Sequence, residues 1–511
     1  MRVLSLAALL LPLPALAQEA EAPLSAIDWL SRSVAPSPAP VPAPPPAPAQ
    51  PPVSRDASPL GIEVGPLEPA PQVAGLLPPE VTGLPPDLWS GSETAALLAL
   101  IREDRSDWIP ALQDLLVTLM LAESPPPADE AAEGTLFLAR VDRLLALGEI
   151  EAAQSLLEAG NLLDRETFRR WFDATLLTGT ETDACEMLRT HPSLAPTLEA
   201  RVFCLARNGD WNAAALTLST ARALGDVSEA EDLLLSRFLD DGGEDEEAPA
   251  GPPPRPTPLT YRMLEAVGET IPTTGLPLAY AFLDLRPTVA WRAQIEAAER
   301  LARRAALSEN VLLAVYTARP PAASGGVWDR AGLVQRLDAA LTAGDAATVT
   351  ALLPEAWTAM AESGLAVPFS RLFAERVAGL DLAGEADAVA RRMILLSPSY
   401  GEATLAADPA SPREAAWLAV ATGAPFEGLA PDAPTSAILS AFAAEIPPER
   451  AALAAQGRAG EALLEAIHGF HAALAGDHAA AADALLTLRA LGLEDGARRA
   501  ALQFLILEAR A

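Results

Sequence analysis

The chain of 511 residues carries a formal net charge of −32, and half of it is hydrophobic while only 5% is aromatic, so Ala and Leu must fill any core. That composition suits close-packed helices rather than sheets, and such a charge argues against nucleic acid or an anionic lipid surface as a partner. All 36 positive side chains are Arg, which excludes Schiff-base, P-loop and Ser–Lys chemistry, each of which needs a lysine.

Residues 1–17 read as a secretory signal peptide. Arg2 supplies the positive start, Val3 to Leu11 the apolar run, and Ala15-Leu16-Ala17 the small-x-small cleavage site. No Cys follows that site and no later apolar run is long enough to span a membrane. The expectation is an exported chain, periplasmic or secreted. Residues 18–35 form a short amphipathic segment in which Leu24, Ile27, Leu30 and Val34 share one helical face, with Trp29 beside them. It is too short to be a stable helix alone. Leu24, Ile27, Trp29 and Leu30 are therefore candidates for docking into a groove, with Ile27, Trp29 and Leu30 each contributing about 1.5–3 kcal/mol if fully buried; the groove would belong to another envelope protein or to the chain's own helices, and the remaining alternative is an inert tail.

Residues 36–86 are a Pro-rich linker. Ten of the seventeen residues from Pro36 to Pro52 are Pro, which prevents core packing and favours an extended tether. Val53 to Pro86 is expected to lie extended along the folded body, since Ile62, Val64, Leu76, Leu77, Val81 and Leu84 are apolar enough to dock.

From Asp87 onward the helical period takes over. It predicts helices near 93–104, 107–123, 134–147, 150–160, 164–178, 182–190, 195–208, 211–224 and 228–239, which make a first lobe over 87–239. Ser228 and Glu231 have the spacing of a capping box. An acidic, Pro-containing stretch over 240–258 reads as a linker. A second lobe over 259–511 carries predicted helices near 259–267, 288–305, 309–318, 328–343, 346–363, 368–379, 384–396, 412–422, 434–444, 449–456, 459–475, 478–491 and 495–509. Ser411-Pro412-Arg413-Glu414 is a specific helix start. No alternating β-branched run occurs, so the predicted class is all-α. Cys185 and Cys204 fall on consecutive helices around His191-Pro192. They are either a disulfide suited to an oxidising compartment or two buried thiols acting as small apolar residues.

A Gly, an acidic residue near it and a small or branched residue five positions on recur six times, beginning at Gly148, Gly179, Gly209, Gly344, Gly384 and Gly476. The fifth positions are Ala153, Ala184, Ala214, Val349, Val389 and Ala481. Gly209-Asp210-Trp211-Asn212-Ala213-Ala214 and Gly476-Asp477-His478-Ala479-Ala480-Ala481 are the fullest instances. This resembles the tetratricopeptide repeat family at the turn between its two helices, most specifically over 148–225, although the regular period and the closing Pro of that family are missing. The resemblance implies an irregular TPR-like α-solenoid of stacked helical hairpins with a protein- or peptide-binding face and no catalysis. The whole chain also resembles a group of exported α-proteobacterial proteins, through Pro23-Leu24-Ser25-Ala26-Ile27-Asp28-Trp29-Leu30, Gly83-Leu84-Pro85-Pro86-Asp87-Leu88-Trp89, Arg170-Trp171-Phe172-Asp173 and Ser324-Gly325-Gly326-Val327-Trp328-Asp329-Arg330. Some of that group carry the label antifreeze glycopeptide polyprotein, which implies arrayed Thr-Ala-Ala units. Here Thr94-Ala95-Ala96 falls inside a predicted helix and is not arrayed.

His468, His471 and His478 are the one histidine cluster, and a metal site would need them to converge. No Gly-x-Ser-x-Gly elbow is present and no pair of carboxylates is singled out. The reading therefore assigns no catalytic, metal or cofactor residues and expects no cofactor. Arg169-Arg170, Arg303-Arg304, Arg391-Arg392 and Arg498-Arg499 are expected on solvated faces or in ion pairs. Trp171, Trp211, Trp291, Trp328, Trp357 and Trp417 are expected in the core. The expected function is an exported scaffold that binds a protein or peptide partner in the cell envelope. The alternative is an envelope hydrolase or metal-dependent enzyme acting on cell-wall material, which would need a cleft of converging carboxylates or those histidines.

Overall fold

A computed structural model describes residues 75–103, 109–130, 134–240, 253, 255–401 and 409–508. Contacts divide the chain into Met1–Leu67 and Glu68–Ala511, and every described residue belongs to the second unit. The expected signal peptide, the candidate docking residues Leu24, Ile27, Trp29 and Leu30, and most of the Pro-rich linker lie outside the described residues.

The described residues are all-α. The only β feature among them is an isolated bridge between Leu77 and Ala122. The first five helices of the body are α1 (Thr94–Arg102), α2 (Pro110–Leu121), α3 (Thr135–Leu147), α4 (Ile150–Ala159) and α5 (Arg165–Thr178). They are followed by α6 (Glu181–Thr190), α7 (Leu198–Arg207), α8 (Trp211–Leu224), α9 (Glu229–Leu239) and α10 (Pro258–Ala266). Two 3-10 turns and the four-residue helix Ala281–Asp284 lead to α11 (Trp291–Ala302), α12 (Glu309–Thr317), α13 (Val327–Ala343), α14 (Ala346–Glu362), α15 (Ala366–Ala378) and α16 (Glu385–Leu395). The last are α17 (Pro412–Thr422), α18 (Ala433–Ala443), α19 (Ala459–Leu474), α20 (His478–Ala490) and α21 (Glu494–Glu508).

Paired packing follows the Gly-centred turns. Gly148, Gly179, Gly209, Gly344 and Gly476 all take positive φ, and the helices they join, α3 with α4, α5 with α6, α7 with α8, α13 with α14 and α19 with α20, pack on each other. A residue with a side chain would be strained in that conformation. Gly384 differs, because it precedes α16 as its N-cap rather than ending α15. The small or branched residue five positions on is buried in all six cases, between 0 and 2% exposed. It is the contact that lets the second helix lie close to its partner.

α2 joins the first helices of the body to the last. Ala111, Leu112, Gln113, Leu116, Leu119 and Met120 are all buried, so it is apolar on more than one side. It packs on α3, α19 and α21. Pro110 opens it at no cost, since the missing N–H is an unpaired donor in any helix. The next N–H, that of Ala111, donates to Gln503 Oε1 of α21 at 2.8 Å. Asp114 pairs with Arg371 of α15, and Gln113 donates to the Arg304 carbonyl beyond α11. The first helices thus touch the last: α1 packs on α19, and α2 on α19 and α21. On both sides of residues 240–258, α9 packs on α10, and α10 on α5 and α7.

Candidate binding groove

The turn Asn208-Gly209-Asp210 opens on a cavity of about 480 Å³, whose walls include Phe203, Arg207, Trp211, Phe238, Arg262 and Glu265. Each wall residue has a local reason for its position. Asp210 caps α8, its side chain accepting from the Ala213 N–H, and this sets Trp211 as the first residue of the helix. Ala214, Leu218 and Ala221 are the buried face of α8. Trp211 falls off that face and is 51% exposed, which corrects the expectation that it belongs to the core. Trp171, Trp291, Trp357 and Trp417 are buried and Trp328 is half-buried.

Three aromatic rings run in series along the cavity. Phe203 of α7 stacks on Phe238 of α9 with centroids 5.5 Å apart, and Trp211 lies against Phe238 at 6.4 Å. The other wall is ionic. Glu181, the first residue of α6, is 1% exposed and accepts from Arg207 at 2.9 Å and from Arg262 at 2.8 Å. Arg262 also donates to Glu265 at 2.7 Å, and Arg286 closes the chain of charges with a 2.9 Å bond to Glu265. Burial pushes the Glu265 carboxyl up, but the hydrogen bonds and charges of Arg286 and Arg262 outweigh it and its pKa lies below the ordinary carboxylate value. A carboxylate held as Glu265 is makes a poor base, and the cavity presents aromatic faces on one side and paired charges on the other.

Two of the helices that supply wall residues, α6 and α7, are covalently tied. Cys185 of α6 and Cys204 of α7 are disulfide-bonded, with Cα atoms 4.8 Å apart, and Asn208 Nδ2 donates to the Cys185 carbonyl at 3.2 Å. The histidines do not meet at a common point. His468 is buried and its Nε2 lies 2.9 Å from the Leu100 carbonyl at the end of α1. His478 lies against the Phe504 ring. Among the described residues no three His, Cys, Asp or Glu side chains converge on a point that could hold a metal ion. Nor is any described helix long and apolar enough to cross a membrane.

Sequence reasoning placed Trp211 in the core and left the two cysteines as either a disulfide or a pair of buried thiols. It missed Glu181 as the ionic centre and the contributions of Phe238 and Arg262, which come from α9 and α10, one and two helices beyond Trp211, and carry no local spacing signal. Comparison with protein-family models, curated proteins and solved structures gives no match for this chain.

Proposed function

We propose that this chain is an exported, TPR-like helical-repeat scaffold that holds a protein or peptide partner in the cell envelope, without catalysis of its own. The observation that supports the reading is the half-exposed Trp211, set on Phe238 at the mouth of a cavity whose opposite wall is rigidly ion-paired. An aromatic platform of this kind accepts an apolar or basic side chain, and a basic segment also matches a chain of net charge −32. The tethered segment over 18–35 adds a second contact through Leu24, Ile27, Trp29 and Leu30, which raises the local concentration of whatever it engages.

Affinity capture from envelope extracts tests this with three forms of the chain: intact, lacking residues 18–35, and Trp211→Ala. The intact chain should enrich a specific protein. Trp211→Ala should weaken that complex at least tenfold, as expected of an aromatic anchor, while leaving the melting temperature unchanged because the ring is half exposed. Equal recovery with intact and Trp211→Ala chains would remove the groove from the reading, and no enrichment by any form would remove the reading itself.

A further inference from the structure

A second cavity, of about 520 Å³, lies between α16, the start of α17 and α21. It shares no residue with the groove at Trp211. Arg391, Arg392 and Leu395 lie on one face of α16, Arg413 and Glu414 on the first turn of α17, and Trp417 one turn further on; all six line it. Its charge is opposite to that of the chain: three arginines and one carboxylate in a molecule of net −32.

The carboxylate is already spent. Glu414 is 8% exposed; its Oε1 accepts from Arg391 at 2.6 Å and its Oε2 from the Ala410 N–H at 2.8 Å. Arg391 is further paired with Asp387, and Arg413 donates to Asp432 at 3.0 Å. Arg392 differs from the other two, since no carboxylate pairs with its guanidinium among the described residues. The second unused donor is the indole of Trp417. That residue is 7% exposed, and its Nε1–H has no acceptor among the described residues. A buried donor left without an acceptor destabilises the fold, and a ligand that supplies the acceptor recovers that loss.

We infer that this cavity binds a carboxylate carried by an apolar residue, as at the C-terminus of a peptide, with the anion between Arg392 and the Trp417 indole. The remaining wall suits the apolar part: Leu395 and Ile506 are each 3% exposed and line the same cavity. A dianion such as phosphate would find a single uncommitted guanidinium and an apolar wall, so a monoanion with an apolar body is the better match.

Isothermal titration of the full chain with acetyl-Ala-Leu-Leu as the free acid, with the same tripeptide as its C-terminal amide, and with inorganic phosphate tests the assignment. The acid should bind at least tenfold more tightly than the amide, the usual worth of a charge-assisted hydrogen bond. Arg392→Gln should remove that preference. Trp417→Phe, which keeps the packing and deletes only the donor, should weaken the acid several-fold with the melting temperature held. Arg292→Gln, on an exposed residue of α11, should change nothing. Equal affinity for acid and amide, tighter binding of phosphate than of the acid, or no binding by any of the three overturns the inference. Because the two cavities share no lining residue, failure of this site leaves the groove untouched.

Discussion

At the residue scale, six turns of similar sequence do not behave alike. Asp210, Asp345 and Asp477 each accept a hydrogen bond from the backbone N–H three residues on and so cap α8, α14 and α20. Glu149 and Thr180 occupy the same position before α4 and α6 and make no such bond. Glu149 instead sits partly buried beside Asp114. Burial first, and then the charges of Asp114 and Glu151, raise its pKa from 4.5 to about 7. The folded chain therefore keeps a proton that the unfolded chain has lost between those two values. The stability that this proton supplies is fully present below pH 4.5 and is lost as pH rises through about 7. Glu149→Gln, which is neutral at every pH, should be more stable than the parent at pH 8 by on the order of 2–3 kcal/mol. At pH 4 the two should be nearly equal. Urea unfolding of both proteins at the two pH values checks this; a difference that grows towards acid would mean that the carboxylate is paired rather than isolated.

At the element scale, the helices were legible and many of their terminal partners were not. The apolar period placed α8 and α17 at their observed limits, because Asp210 and Ser411 cap from their own sequence neighbourhood. The capping box of Ser228 and Glu231 also forms. Other ends are closed from far along the chain. Asp129 accepts from both the N–H and the hydroxyl of Thr94, thereby starting α1 from 35 residues away. Arg140 of α3 donates to the Met120 and Ala122 carbonyls at 2.8 Å each and so finishes α2. Period and spacing carry no record of such partners, which is also why Glu181 and Arg262 were not read as one ionic centre. Arg140 is 3% exposed, and burial lowers its pKa to about 10. Arg140→Met keeps the stem and leaves two carbonyls without donors, so it should cost about 2–5 kcal/mol in chemical denaturation. The α6–α7 disulfide is the covalent counterpart of these ties. Closing a loop with a sequence separation of 19 should contribute about 3 kcal/mol. Cys185→Ser with Cys204→Ser should lower the denaturation midpoint accordingly, and reductant should then have no further effect.

At the scale of the whole molecule, the contacts that matter most join residues distant in sequence. A stack in which each hairpin met only its neighbours would unfold piecewise. Here the first described residues are seated on the last helices: Gly91 N–H donates to the Gly457 carbonyl at 3.0 Å, and Gly460 N–H to the Leu88 carbonyl at 3.0 Å. Leu88 and Trp89 are fully buried, with the Trp89 ring directly over Gly460. A Cβ added at Gly460 would lie 2.1 Å from Trp89 Cζ3, closer than any real contact allows. This position separates local from long-range control of stability, since the two predict opposite signs. Gly460 lies in the first turn of α19, where Ala is preferred to Gly by up to about 1 kcal/mol. If α19 were stabilised only by its own sequence and by α20, Gly460→Ala would stabilise the protein. If the seat of Trp89 holds the ends together, the added methyl displaces the ring, and Gly460→Ala should destabilise by about 1–3 kcal/mol, the cost of overpacking. Hydrogen exchange distinguishes these outcomes by location as well as by sign. Loss of protection at Leu88–Ser92, in α1 and in α19 together, with α7 and α8 unchanged, is the expected result; a stabilised α19 with the Leu88–Ser92 amides unaffected would show that the ends are not coupled.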